Sequence, residues 1–105
     1  SIPVISGFTA TSYRNSQPIQ DYYDLQKEIG ENLAESKLKG VKPNPVHQKN
    51  HLIMNNANKV MDEFRKQQRA IEIDKKLTPD QKRAKIDDLQ LKQTRLAESV
   101  LKKVK

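Results

Sequence analysis

Apolar side chains recur at steps of three and four along most of this chain, the period of a helix that buries one face. From 17 to 39 the stripe is Ile19, Tyr22, Leu25 (or Gln26), Ile29 and Leu33. From 47 to 76 it is Ile53, Ala57, Val60, Phe64 and Ile71, with Gln67 or Gln68 in the missing step. From 79 to 104 it is Ile86, Leu89, Gln93, Leu96, Val100 and Val104. Residues 1–16 lack this rhythm. The run from Ile2 to Ile5 has the β-branched content of a strand, but Gly7 and the Ser/Thr cluster behind it predict an extended, irregular arm. Such an arm gains order only by lying against something else.

The polar punctuation agrees with the stripes. Ser16 is placed to cap the first helix, Pro18 sits in its first turn, and Gly40 stands where a left-handed C-terminal cap belongs. Asp21 and Asp24 lie toward the positive end of that helix and Lys37 and Lys39 toward its negative end. Pro43 and Pro45, two apart, predict a break that reorients the chain. The strongest local signal is Thr78-Pro79-Asp80-Gln81: an N-cap, a proline at the first helical position, an acidic residue at the dipole, and a Gln that closes a capping box. The expected fold is therefore all-α. It has an extended arm over 1–16, a first helix over 17–40 and a Pro-rich linker over 41–46. A long antiparallel helical hairpin follows over 47–105, turning near 74–79. Two helices alone bury little, so the pattern predicts that a partner covers the apolar stripe left over.

Composition narrows the picture. The 105 residues are 34% hydrophobic and 31% charged, so any core is thin. No apolar run reaches the ~20 residues of a membrane-spanning helix. No positively charged start followed by a long apolar region marks a signal peptide. There is no cysteine, which removes disulfides, thiol catalysis and Cys-ligated zinc. The net charge of +7 is carried wholly by residues 49–105, since 1–48 hold five basic and five acidic side chains. The chain opens on Ser1 rather than Met, as expected of a processed chain or a segment of a longer one.

Candidate chemistry is sparse. His47 and His51 are one helical turn apart, but Gln48 stands where a zinc protease would carry its general base, no third ligand is evident, and Pro45 argues against a helical His47. The adjacent carboxylates Asp62-Glu63 and Asp87-Asp88 lie among Lys and Arg, where solvated ion pairs account for them. No phosphate loop or Ser/His/Asp set is present, so the chain reads as a non-enzyme without a cofactor. The basic residues Arg65, Lys66, Arg69, Lys82, Arg83, Lys85, Lys102 and Lys103 are the candidates for phosphate contact without sequence specificity. Acidic neighbours interrupt each run, and a stacking platform for bases is missing. Ile2, Ile5, Phe8, Tyr13, Tyr22, Tyr23 and Phe64 are the candidates for docking onto protein.

The order of these pieces carries a resemblance. Pro3-Val4-Ile5-Ser6-Gly7-Phe8 and Tyr13 precede a Tyr- and acid-rich helix, then a break, then a hairpin with Arg69-Ala70-Ile71 in one arm. Leu77-Thr78-Pro79-Asp80-Gln81-Lys82-Arg83 and Ile86-Asp87-Asp88-Leu89 begin the other. This resembles the C-terminal large polyvalent-protein-associated domain near the end of very long bacteriophage proteins, including internal virion or DNA-ejection proteins. The resemblance implies a structural segment stored in the capsid or tail and passed into the host envelope or cytoplasm at ejection. It implies docking onto portal, core or neighbouring ejection-protein subunits in a homo- or hetero-oligomeric assembly, with nonspecific contact to packaged DNA. It supplies no catalytic residue. The alternative is a small basic helical protein that binds nucleic acid without sequence specificity.

Overall fold

The computed structural model describes residues 17–104, so the expected arm, with Ser16 as a cap, lies outside the described residues. The described chain is all-helical: α1 (Gln17–Lys39), α2 (Pro45–Glu72) and α3 (Pro79–Lys103). None of these helices is long and apolar enough to cross a membrane.

Each boundary has a local cause. α1 stops at Gly40, whose φ of +67° only glycine adopts without strain. The Gly40 and Val41 amides bond back to the Lys37 and Ser36 carbonyls at 3.1 and 3.0 Å, the paired closure of a Schellman motif. α2 begins at Pro45, two residues before the expected start. Asn44 caps it through Oδ1, which accepts from the Val46 amide at 2.8 Å. Pro45 then occupies the first helical position, where the missing N–H costs nothing. The reading of both prolines as linker holds for Pro43 and fails for Pro45. His47 is accordingly helical. α2 also ends at Glu72, four residues early, because Asp74 Oδ1 takes the Lys76 amide at 2.8 Å and turns the chain. The capping box of α3 forms as expected. Thr78 Oγ1 accepts from the Gln81 amide at 3.1 Å and Gln81 Oε1 accepts from the Thr78 amide at 2.9 Å.

α2 and α3 run antiparallel: Lys82 reaches the Glu72 carbonyl beside the turn, and Gln68 meets Gln90 further along. α1 folds back antiparallel to α2 and packs against both arms of the hairpin. The stripe that a lone hairpin would leave open is therefore covered in large part by the chain's own first helix. The core comprises Ile19, Tyr22 and Ile29 of α1, Met54, Ala57 and Met61 of α2, and Ala97 and Val100 of α3. Leu25, Leu33, Ile53, Phe64, Leu96 and Val104 flank it, so Leu25 rather than Gln26 completes the α1 stripe.

One stripe is shifted. On α2 the buried positions are Asn50, Met54, Ala57 and Met61, whereas Val60 is 43% exposed. A hairpin by itself would centre the α2 face near Val60. With α1 seated on the other side, the buried face rotates toward Met54 and Met61, whose unbranched thioethers fill the irregular space among three helices.

Two comparisons test these local causes. Gly30 is exposed in mid-helix and a Cβ there would meet nothing within 4 Å, whereas Gly40 needs its positive φ. Gly30→Ala should raise stability by up to ~1 kcal/mol and Gly40→Ala should lower it by a similar amount, read from denaturant midpoints. Thr78→Ala should cost about 1 kcal/mol. Lys92→Ala, whose exposed i, i+4 pair with Asp88 spans 3.2 Å, should cost under ~0.5 kcal/mol in the same measurement.

Candidate functional site

Consecutive residues on a helix point about 100° apart, so Tyr22 and Tyr23 serve different surfaces. Tyr22 is fully buried, and its hydroxyl donates to Asn58 Oδ1 on α2. Tyr23 lies at the rim, its ring edge-on to Tyr22 at 5.2 Å between centroids. Arg65 donates through Nη2 to the Tyr23 hydroxyl and through Nη1 to Asp62 Oδ1 at 2.8 Å, with its guanidinium carbon 5.7 Å from the Tyr23 ring centroid. Burial pushes the Tyr22 phenol up to about 12, with Tyr23 and Asp62 adding to the shift and Arg65 opposing it. These groups fasten α1 to α2. Tyr22 thus holds helices together and has no surface to offer a partner. Phe64, half-buried, packs against the core. Ile2, Ile5, Phe8 and Tyr13 lie outside the described residues.

The cationic candidates do not share one surface. Arg65 is engaged as above, Lys66 stands 4.0 Å from Glu63, and Lys82 Nζ donates to the Glu72 carbonyl at 2.8 Å, closing the end of α2. Arg69, Arg83 and Lys85 lie toward the turn, outside any ion pair among the described residues. Lys102 and Lys103 lie at the far end of α3, 17 residues or about 25 Å from Lys85. The exposed i, i+3 and i, i+4 pairs are solvated and each contributes little.

Two hollows bring side chains together that the sequence does not. The larger, an open cleft of about 790 Å³, lies where α1 begins. Ile19, Gln20, Tyr23 and Asp24 line it from α1, Arg65, Gln68, Arg69 and Glu72 from α2, and Gln93 from α3. The smaller, about 230 Å³, is an apolar groove of α2 and α3 alone, lined by Ile53, Ala57, Val60, Leu96 and Val100 with Asn56 and Lys103 at its edge. Exposed Leu52 lies on α2 beside it.

Near the cleft, Gln90 is the residue that the pattern does not single out, and it accompanies Gln68 and Asp87, which the pattern names for other reasons. Gln90 is 1% exposed and donates through Nε2 to Gln68 Oε1 at 3.4 Å, so Gln68 rather than Gln67 fills the missing step. Gln90 Oε1 and Asp87 Oδ1 are buried without a hydrogen-bond partner. Burial raises the Asp87 pKa, partly offset by Arg83 one turn away. The only sequence signal was a Gln where the stripe of α2 wanted an apolar residue. Both histidines lie on α2, with the His51 ring nitrogen Nε2 3.2 Å from Asn55 Nδ2. Among the described residues no three His, Cys, Asp or Glu side chains converge as a metal site would require.

Over the described residues the architecture is all-helical, and the hollows described above are open ones. No family model matches the chain, and no curated protein or solved structure matches it at a significant level.

The buried phenol sets a pH response. Because the folded state holds the Tyr22 proton more tightly than the unfolded chain does, its contribution is complete below pH 10 and is lost as pH rises toward 12. Stability should fall by roughly 2–3 kcal/mol more over that window in the native chain than in Tyr22→Phe, measured by denaturant melts. Equal slopes in the two proteins would mean that the phenol is not held in the core.

Proposed function

We propose that this chain is a docking segment of a bacteriophage internal virion protein of the DNA-ejection type, bound to portal, core or ejection-protein subunits. The observation that carries the docking reading is the apolar groove between α2 and α3. Val60 is 43% exposed in its lining, and Leu52, 63% exposed, adjoins the lining residue Ile53 in the chain. An apolar patch rimmed by polar groups is the ordinary mark of a protein interface. The phage assignment is supported by the ordered resemblance running from the Pro3–Phe8 stretch to the Ile86–Leu89 run.

A second reading, nonspecific nucleic-acid binding, is favoured by the stretch 65–85, where Arg69, Arg83 and Lys85 have no ion pair among the described residues. Two measurements separate them. Val60→Asp should leave helicity intact and prevent incorporation into particles, read by mass spectrometry of purified virions; unchanged incorporation would defeat the docking reading. Duplex DNA should bind at physiological salt no tighter than about 10⁻⁴–10⁻⁶ M. A submicromolar complex, lost when Lys82, Arg83 and Lys85 are replaced together by Ala, would put the second reading in its place.

A further inference from the structure

The groove between α2 and α3 opens beside an exposed face of α2 whose spacing is symmetric about one residue. Leu52, Asn56 and Val60 are exposed and follow one another at steps of four. Lys49 stands three residues before Leu52, and Glu63 three residues after Val60, both exposed. At about 100° per residue the five lie within about 80° of arc, on one face of the helix. The steps 3, 4, 4, 3 read the same in either direction from Asn56. The charges do not, since the cation ends one side and the anion the other. Among the described residues Lys49 has no ion pair and Asn56 no hydrogen-bond partner, and Glu63 is 4.0 Å from Lys66.

We propose that this face binds a second copy of the chain, the two α2 helices antiparallel about a two-fold axis at Asn56. Such an axis carries Val60 of one copy to the level of Leu52 of the other, and Glu63 to the level of Lys49. Each contact is made twice. Val60 then meets Leu52 and Ile53 at the mouth of the groove that Ile53, Ala57, Leu96 and Val100 line. Asn56 faces itself across the axis, where one amide donates to the side-chain carbonyl of the other and fixes the register. The charge order selects this orientation. In a parallel pair Lys49 would face Lys49, and Glu63 would face Glu63. A two-fold contact needs symmetric spacing and charges reversed across its centre, whereas an unrelated partner needs neither. Lys59 and Lys103 are exposed on its flanks, with long stems that reach solvent. The stretch from Lys49 to Glu63 is about 21 Å long at about 1.5 Å per residue, so the dimer belongs to the small, reversible class. The inference rests on the docking reading of this groove and names a second copy as the subunit docked.

Sedimentation equilibrium of the full chain tests it at physiological salt, where repulsion between two chains of +7 is screened beyond about 8 Å. A monomer–dimer equilibrium should appear between micromolar and millimolar concentration. Lys49→Glu and Glu63→Lys should each raise the dimer dissociation constant roughly tenfold, because each turns two attractive pairs repulsive. An equimolar mixture of the two variants should dimerise as the native chain does, since every facing pair then has opposite charges. The chain has no cysteine, so Asn56→Cys should oxidise to a covalent dimer, and Glu31→Cys on α1 should not. A monomer at all of these concentrations would overturn the proposal. So would a mixture no more associated than its components. If Val60→Asp still prevents incorporation into particles in either case, the docking reading stands with a different partner. If the native chain and the mixture dimerise while Val60→Asp is incorporated normally, the pairing stands and the docking reading falls.

Discussion

A chain with so few apolar residues closes a core only when all three helices share it, and the fully buried Tyr22 ring is where α1 is locked into that core. An aromatic side chain of this size brings the largest apolar burial available to the bundle, but it carries a hydroxyl that must find a partner once water is excluded. Asn58 supplies it from α2. Because the next residue points about 100° away, the same register delivers Tyr23 to Arg65. The axial position of α1 against the hairpin follows from these two links. So do the rotation of α2 that buries Met54 and Met61 and the level at which α1 begins.

That level has consequences for the surface. The cluster shared by all three helices ends near Ile19, and α2 and α3 continue as a seam in which Gln68 and Gln90 accompany the buried Leu89. A seam built on amides is specific only where each polar atom is satisfied. Gln90 Oε1 and Asp87 Oδ1 are the two places where it is not.

The charge has a similar dependence on the fold. In the primary structure the cations of 49–105 look like one basic run with interruptions. In the bundle they divide into those used locally and those left to solvent: Arg65 bridges to Tyr23 and Asp62, and Lys82 closes the α2 terminus. Lys102 and Lys103 are carried to the opposite end of α3 from Lys85. A continuous phosphate track needs neighbouring cations on one face, and this arrangement scatters them. The groove around Val60 by contrast gathers its apolar lining from two adjacent helices, and it is on this feature that the proposed docking rests.

What the sequence by itself determined is what short-range forces decide. Helices, turns and caps depend on residues within one turn of each other, so Gly40, Thr78 with Gln81, and the helical period of the three stripes were legible directly. The Asn44–Pro45 start was misread by two residues because a proline is both a helix breaker and a good first helical residue, and the side chain before it settles which. What only the tertiary structure decided is which side of each helix meets another. Val60 and Met61 are neighbours in sequence with equal claims to burial, and a helix has no inside until its partners are placed. Docking α1 on the hairpin chose Met61, exposed Val60 and buried Gln90 in a charged helix, because the buried face points toward the joint axis of all three helices.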